Sequence, residues 1–190
     1  RVGAPYVKIF DEEREQTVML LVDASASGAF GSQQQMKGEI GVEISALLAF
    51  AAIKNNDRVG LLIFTDEVEV FVAPKKGRKH VLRVIRELLY FEPRGKRTSI
   101  ADALDHLQRV LHRRSVVFVL SDFLDEGYER PLKLMRRRHD LVAISLFDPR
   151  ERQLPDVGFI NLQDAETGEQ VLVDSSRLAV RDYFASEQHR

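Results

Sequence analysis

The sequence predicts a three-layer α/β/α domain built on an open, mostly parallel sheet with one antiparallel edge strand. Short apolar runs rich in strand-forming residues alternate along the chain with segments of helical periodicity. Most of these runs are continuously apolar, which is typical of parallel strands that helices cover on both faces. One run instead alternates apolar and polar residues directly after a tight turn, which is typical of an antiparallel hairpin strand.

The strands are predicted from these runs and from the turn residues between them. Buried parallel strands are expected at Thr17–Val22, Arg58–Thr65 and Ser115–Leu120, and a further strand is expected at Leu141–Phe147. The antiparallel edge strand is expected at Val68–Val72, after the turn at Asp66-Glu67. A weaker strand pair is expected around Val157–Leu162 and Gln170–Val173, with Thr167-Gly168 as the turn between them.

Two amphipathic helices are predicted before the middle of the chain. The first is expected to bury one face, which carries Met36, Ile40, Ile44, Leu47, Leu48 and Ala51. The second carries apolar residues at helical spacing, namely Val81, Val84, Ile85, Leu88 and Leu89. Pro93 and Gly95 then end the helical pattern.

Three further helices are predicted in the second half. Ser99 opens one of them, with Asp102 as its capping-box partner. Its buried face is expected to carry Ile100, Leu104, Leu107 and Leu111. A short helix is expected from Pro131 through Met135, and a final helix is expected to begin after a cap at Ser175 or Ser176.

Length and composition favour one domain and exclude several kinds of site. The 190 residues are expected to form a single domain over 1–190, with 1–16 as an N-terminal arm cut from a longer parent. The 28 basic and 29 acidic side chains nearly balance, and the basic clusters lack interleaved aromatic residues, so we expect no nucleic-acid partner. The chain has no cysteine, which excludes disulfides and zinc–thiolate sites. No apolar run is long enough to span a membrane, so any membrane anchor is expected outside this chain.

The most informative motif is Asp23-Ala24-Ser25-Ala26-Ser27, directly after the first predicted strand. One carboxylate and two hydroxyls at a spacing of two offer oxygen ligands, which suit a hard divalent cation such as Mg²⁺. The competing interpretation is a polar turn in which a serine caps a loop.

Two other segments are expected at the same edge of the sheet. Thr98 precedes the third predicted helix, and Asp122 follows the strand at Ser115–Leu120. If the strands before Asp23 and Asp122 are neighbours, their carboxylates lie side by side and require a cation or a shared proton. A lysine of this chain inserted among these oxygens in the presence of magnesium would contradict a metal site.

These residues resemble the metal-ion-dependent adhesion site of von Willebrand factor A domains, which have a Rossmann-like open sheet. The segments LLVDASAS and VLSDFLDE are most similar to a bacterial branch of that fold, the DUF58 proteins of unknown function. The resemblance implies metal ligation by Asp23, Ser25, Ser27, Thr98 and Asp122. The serines would bind Mg²⁺ or Mn²⁺ directly, Thr98 directly or through water, and the two aspartates mostly by holding waters and hydroxyls.

The resemblance implies a protein-interaction module rather than an enzyme. The ion would accept an acidic side chain from a partner protein, and the family implies a MoxR-type AAA+ ATPase as a partner in assembling or maturing protein complexes. A cytoplasmic location is expected, with a parent that is membrane-associated, because family members often carry membrane helices. The alternatives are a metal-dependent hydrolase or phosphotransfer protein, and a scaffold with a vestigial site.

The remaining polar residues are not predicted to bind the metal. Asp125 and Glu126 are interpreted as solvated loop charges that lie near the site and could tune it. Lys96 and Arg97, which flank Thr98, could help attract an acidic partner. The histidines are interpreted as surface residues away from the strand ends, because none forms a triad-like pattern with Asp and Ser. They are His80, His106, His112, His139 and His189.

Overall fold

Five strands form the central sheet of this computed structural model. The structure describes residues 15–26, 37–148, 154–163 and 168–187. The strands are β1 (Thr17–Asp23), β2 (Arg58–Phe64), β3 (Val68–Lys75), β4 (Val116–Ser121) and β5 (Asp140–Ser145). Their order is β3-β2-β1-β4-β5, and β3 alone is antiparallel to its neighbour in this sheet. The predicted mostly parallel sheet with an antiparallel edge strand is confirmed.

Helices cover both faces of this sheet. They are α1 (Lys37–Lys54), α2 (Arg78–Leu89), α3 (Ile100–Val110) and α4 (Glu129–Arg138). One core lies between α1, α2 and the strand residues Val18, Leu20 and Val22. The other lies between α3, α4 and the intervening residues Met19 and Leu21. Because successive strand residues point to opposite faces, β1 must be apolar throughout, and this explains its uninterrupted apolar sequence.

The register of the parallel strands positions the loops that follow them. Asp23 pairs with Phe64 of β2, and Val22 pairs with Leu120 of β4. The carboxyl ends of β1, β2 and β4 therefore lie at one edge of the sheet, where an open parallel sheet binds its ligands.

The predicted buried face of α1 is only partly correct, because Ile44 and Leu48 pack against the core but other predicted residues do not. The buried residues are Lys37, Gly41, Ser45, Ala49 and Ala52, whereas Leu47 is 70% exposed and Ile40 is also exposed. Met36 lies outside the described residues. The helix approaches the sheet through small side chains: a Cβ at Gly41 would lie 3.0 Å from Leu146 Cδ1. Since α1 is apolar on most sides, periodicity could not identify the face that packs most closely.

The C-terminal part contains a second, two-stranded antiparallel sheet. It consists of β6 (Phe159–Gln163) and β7 (Gln170–Asp174), and α5 (Leu178–Glu187) follows. Thr167 of the predicted turn lies outside the described residues. The prediction of a cap at Ser175 or Ser176 is not supported, because the Ser175 hydroxyl donates to Gly158 O at 2.7 Å and the Ser176 hydroxyl donates to Asp174 Oδ1 at 2.5 Å.

Two predicted element boundaries shift in the structure. The helix expected to start at Pro131 begins at Glu129, which leaves the proline in the first turn, where its missing N–H costs nothing. The strand expected to end at Phe147 ends at Ser145. Within the four described ranges, no helix is long and apolar enough to cross a bilayer.

The interpretation of the histidines as surface residues is wrong for most of those described. His139 is only 3% exposed, and neither ring nitrogen has a hydrogen-bond partner in the described part of the chain. His80 is half-buried and contacts Val59 O at 2.9 Å, and half-buried His106 packs edge-on against Phe71. His112 is exposed, and His189 lies outside the described residues. These rings lie on helices or at helix ends, where their apolar bodies contribute to packing.

The buried His139 ring makes the fold sensitive to acid. Burial lowers the pKa of His139 below its ordinary value, the charge of Arg138 lowers it further, and Asp140 opposes the shift. The unfolded chain, in which a histidine has a pKa of about 6.5, therefore takes up a proton before the folded chain does. Stability from neutral His139 is complete above about pH 6.5 and is lost as the pH falls through the folded-state pKa.

We predict that His139→Leu reduces the loss of stability between pH 7.5 and pH 5. Urea unfolding followed by circular dichroism measures the midpoint at each pH. His112→Leu, which alters an exposed ring, serves as the matched control and keeps the wild-type pH dependence. A wild-type slope in His139→Leu would show that His139 does not resist protonation in the fold.

Candidate metal centre

Asp23 is the central carboxylate at the sheet edge. Its Oδ1 accepts the Ser25 N–H at 2.9 Å, and its Oδ2 accepts the Ser121 hydroxyl at 2.6 Å. Desolvation raises the pKa of Asp23 above its ordinary value; the bonds from Ser121 and Ser25 oppose this, and the negative charge of Asp122 adds to it. The carboxylate is therefore held in place, but its own charge is poorly compensated.

The loop after β1 lies against the loop that carries Thr98. Ser25 is 4% exposed, and the next residue, Ala26, donates its N–H to Lys96 O at 3.0 Å. Ser27, the third residue of the motif, lies outside the described residues. The structure therefore brings two of the three motif residues to the site and leaves the third untested.

Thr98 stands at the entry to α3, where its neighbour Ser99 provides the cap. The Ser99 hydroxyl accepts the Asp102 N–H at 3.3 Å and donates to Asp102 Oδ2 at 2.8 Å, so the predicted pairing of these residues is confirmed. The Ser99 N–H is bonded to Thr65 O at 2.9 Å. Because Ser99 performs the capping, α3 does not require the Thr98 hydroxyl as its cap.

The Thr98 loop is fixed by Glu69, which the sequence analysis did not identify. Its carboxylate accepts the N–H groups of Arg94 and Gly95, each at 3.0 Å, and the Thr65 hydroxyl at 2.8 Å. Desolvation opposes ionisation of Glu69, but the bonds from Gly95, Thr65 and Arg94 outweigh it, and the pKa of Glu69 lies below its ordinary value. In the sequence, Glu69 has no distinguishing signal, because it is one polar residue on an alternating edge strand.

Gly95 is required by the same contact between loops. A Cβ at this position would overlap the side chains of Thr65 and Asp66. From the sequence, Gly95 was expected only to end a helix. Its structural role is to let the loop lie directly against the end of β2.

Asp122 lies beside Asp23, as the strand order requires. Its Oδ1 accepts the Leu124 N–H at 3.2 Å, and its Oδ2 accepts a hydrogen bond from Lys37 Nζ at 3.0 Å. The chain bends sharply here, since Phe123 has a φ of 60°, a conformation that bulky residues rarely adopt. Such strain is found where surrounding contacts dictate the backbone, often at functional sites.

Asp125 is not the solvated loop charge that was expected. It is half-buried, and its Oδ2 accepts the Ile100 N–H at 2.8 Å. A carboxylate on the first N–H of α3 is favourably placed with respect to the helix dipole. Asp125 therefore ties the loop after β4 to the helix entry that follows Thr98, whereas Glu126 is exposed as expected.

Lys37 is the second residue that the sequence analysis missed. Its side chain is 4% exposed and that of Asp122 is 6% exposed, so their ion pair is buried. A lysine near the start of a helix usually lies in solvent, and nothing in its neighbours distinguishes it. Its 85-residue separation from Asp122 becomes a contact only in the folded chain.

The oxygens at this edge suit a hard divalent cation. Asp23, Ser25 and Asp122 come from the ends of two neighbouring strands, and Thr98 comes from a loop bonded to the first of them. In the described part of the chain no three His, Cys, Asp or Glu residues cluster as metal ligands. A site here must therefore use hydroxyl oxygens as well as carboxylates, which Mg²⁺ accepts.

A groove of about 760 Å³ opens beside these oxygens, between α1 and α2. Asp23 and Ser25 lie at its wall, and most of the other described lining residues are apolar, among them Val42, Leu88 and Phe91. The site thus adjoins a concave surface that can accept more than a single side chain.

Comparison with known proteins connects this geometry to a family and a fold. The family model described as a protein of unknown function, DUF58, matches residues 1–190. An uncharacterized protein of Mycobacterium tuberculosis is 36% identical over 188 residues, which cover 97% of this chain and 59% of that protein. The chain thus spans less than two thirds of the length of this relative.

Solved structures of low sequence identity share the fold. An aerotolerance-related membrane protein from Bacteroides fragilis is 17% identical, with a TM-score of 0.65 and coverage of 92% of this chain and 88% of that one. BatB from Bacteroides thetaiotaomicron gives a TM-score of 0.64 at 15% identity, over 92% of this chain and 87% of that one.

A third neighbour carries a metal in its own site. Proximal thread matrix protein 1 from the mussel byssus, with a zinc-occupied MIDAS motif, gives a TM-score of 0.54 at 16% identity, over 69% of this chain and 38% of that one. At this identity the similarity concerns the fold. The family assignment depends instead on the match along the whole sequence: the chain belongs to DUF58, a family of proteins of unknown function.

Proposed function

We propose that this domain binds Mg²⁺ or Mn²⁺ where β1 and β4 end, and that the ion recognises an acidic side chain of a partner protein. The observation that carries the proposal is the juxtaposition of Asp23 and Asp122, with buried Ser25 beside them. Two carboxylates buried side by side favour a cation between or beside them.

The proposed ligands are those of the von Willebrand factor A resemblance. Ser25, Ser27 and Thr98 would contribute hydroxyl oxygens, and Asp23 and Asp122 would hold waters and orient those hydroxyls. When bound, the ion supplies a positive charge that neutral hydroxyl ligands leave largely uncompensated. A carboxylate from another protein can then complete its coordination.

The contacts on Asp23 are suited to this orienting task. Its two oxygens are bonded to the Ser25 N–H and the Ser121 hydroxyl, so the carboxylate cannot turn without breaking one of these bonds. Carboxylates that orient metal ligands in this way strengthen metal binding by about 10- to 100-fold in many proteins.

A metal-free scaffold is the second candidate function, and the Lys37–Asp122 ion pair favours it. The ammonium already supplies one positive charge to the two carboxylates. Against it stands Asp23, whose pKa is raised mainly by desolvation and further by Asp122, so that the pair still favours additional positive charge. Metal titration separates the two candidates directly.

A binding role agrees better with the site than catalysis does. Hydrolases and phosphotransfer proteins of the aspartyl-phosphate type need a second acidic residue near the first, and Ser25 stands two positions after Asp23. Asp23 and Asp122 both have defined hydrogen-bond donors, and no histidine of the described chain lies at the carboxyl ends of the strands. We therefore propose a non-enzymatic module.

We further propose a MoxR-type AAA+ ATPase as the acidic partner, with the module acting in the cytoplasm as part of a membrane-associated parent. The proposal derives from the family resemblance, and one structural neighbour is described as a membrane protein. The groove beside the site offers the apolar surface that a protein partner needs around a central polar contact.

We predict that Asp23→Asn weakens Mn²⁺ binding by about 10- to 100-fold. The asparagine can accept from the Ser25 N–H and donate to the Ser121 hydroxyl, so the local fold is preserved while the charge is removed. Isothermal titration calorimetry with Mn²⁺ measures the affinity. Asp105→Asn, at an exposed position of α3, is the matched control and retains wild-type affinity. Equal affinities in the two variants would refute the proposed site.

We predict that Glu69→Gln weakens Mn²⁺ binding although Glu69 is not a proposed ligand. The amide cannot accept all the donors that converge on the carboxylate, so the loop that presents Thr98 loosens, at a cost of about 1 kcal/mol in stability. Calorimetry and thermal unfolding measure the two effects. Glu67→Gln, in the adjacent exposed turn, is the control and leaves both unchanged. A loss of stability without a change in affinity would remove Thr98 from the ligand set.

We predict that the purified domain captures a MoxR-type ATPase encoded in the same genome when Mg²⁺ is present, and releases it in excess EDTA. Asp23→Asn is expected to capture at most about a tenth as much, in line with its weaker metal binding. Capture that persists in EDTA and in Asp23→Asn would place the contact elsewhere on the domain.

A further inference from the structure

Lys37 and Asp122 form a buried ion pair inside the candidate metal centre. The ammonium lies 3.0 Å from Asp122 Oδ2, and the two side chains are 4% and 6% exposed. Lysine is rarely buried to this degree without a charged partner. Asp122 is also one of the five residues proposed to hold the ion, so one carboxylate serves both the lysine and the proposed metal centre.

The charges at this edge determine how the Lys37–Asp122 contact would affect metal binding. Asp23 and Asp122 together carry two negative charges when both are ionised, and Lys37 returns one positive charge. A divalent ion would neutralise both carboxylates, and the ammonium would then add a positive charge beside it. Like charges at such short range oppose each other strongly where water is excluded.

We propose that Lys37 is a resident counter-cation that occupies Asp122 in the metal-free protein and competes with the divalent ion for it. The inference rests on the proposed metal-binding function and adds the residue that limits its affinity. An ammonium and a metal-bound water both donate hydrogen bonds to a carboxylate, over overlapping ranges of distance. Lys37 Nζ thus donates to the Asp122 oxygen that would otherwise accept a hydrogen bond from a water on the metal.

Lys37 also lies next to the groove. It is the first described residue of α1, and Gly38, Glu39 and Val42 of the same helix line that groove. The proposed competition would therefore take place beside the surface proposed to receive a partner.

The test compares Mn²⁺ affinity in wild type, Lys37→Met and Lys54→Met by isothermal titration calorimetry. Methionine keeps the unbranched shape of lysine without its charge, and Lys54→Met alters an exposed lysine of the same helix. We expect Lys37→Met to bind Mn²⁺ at least about tenfold more tightly than wild type, since a nearby like charge opposes a cation by that order. Lys54→Met is expected to match wild type.

The outcomes separate this inference from the proposed function. If wild type and Lys37→Met bind Mn²⁺ with equal affinity, or if the variant binds it more weakly, the proposed competition is refuted and the proposed metal centre is unaffected. Absence of Mn²⁺ binding in both proteins overturns both. Asp23→Asn in the Lys37→Met background must lose the gained affinity, which ties the effect to this site.

A measurement on the wild-type chain applies even if Lys37→Met does not fold. Acetylation of lysines by an amine-reactive ester, read by mass spectrometry, reports whether each ammonium is accessible. We expect Lys37 to react several-fold faster with saturating Mn²⁺ than with EDTA, while exposed Lys54 reacts equally in both. Equal or slower reaction of Lys37 in Mn²⁺ would mean that the ion does not displace it.

Discussion

The parallel pairing of β1 with β4 is the constraint on which the site depends. The register places Val22 opposite Leu120, so the chain leaves both strands at the same level and the next polar residues meet. The Ser121 hydroxyl then bonds to Asp23. Desolvation is the main cause of the raised pKa of Asp23, and the nearby charge of Asp122 raises that pKa further. Neither aspartate is unusual in its own loop. Their significance arises because buried apolar strands force the two loops together.

Several contacts that hold the loops at this edge do not use the proposed metal ligands. Glu69 and Gly95 fix the Thr98 loop against β2, Ala26 bonds to that loop through its backbone, and Asp125 binds the first N–H of α3. None of these contacts requires an ion. This arrangement lowers the cost of ordering the ligands when an ion binds, which is the advantage of a preorganised site.

Sequence patterns were sufficient for the sheet, its edge strand, the buried face of α3 and the adjacency of Asp23 and Asp122. They also predicted the buried face of α2 except for Leu89, which is 61% exposed. These features follow from apolar periodicity and from the rule that parallel strands end at one edge. The face of α1 was predicted only in part, because that helix packs most closely through Gly41, Ser45 and Ala49, and such small residues give little apolar signal. The roles of Lys37, Glu69 and Asp125 could not be predicted, since each depends on a partner at least 25 residues away.

The buried lysine decides how the site should be understood, because a buried ion pair is a weak source of stability. Removing two charges from water costs about as much as their attraction returns, so an apolar pair of similar size would serve the fold as well. Packing alone therefore does not explain why α1 carries Lys37 on a face made otherwise of glycine, serine and alanine. A lysine at that position orients Asp122 through its hydrogen bond, and under the proposed function a divalent cation would replace it. A site that must gain and lose its ion needs such a competitor, whereas a purely structural site does not.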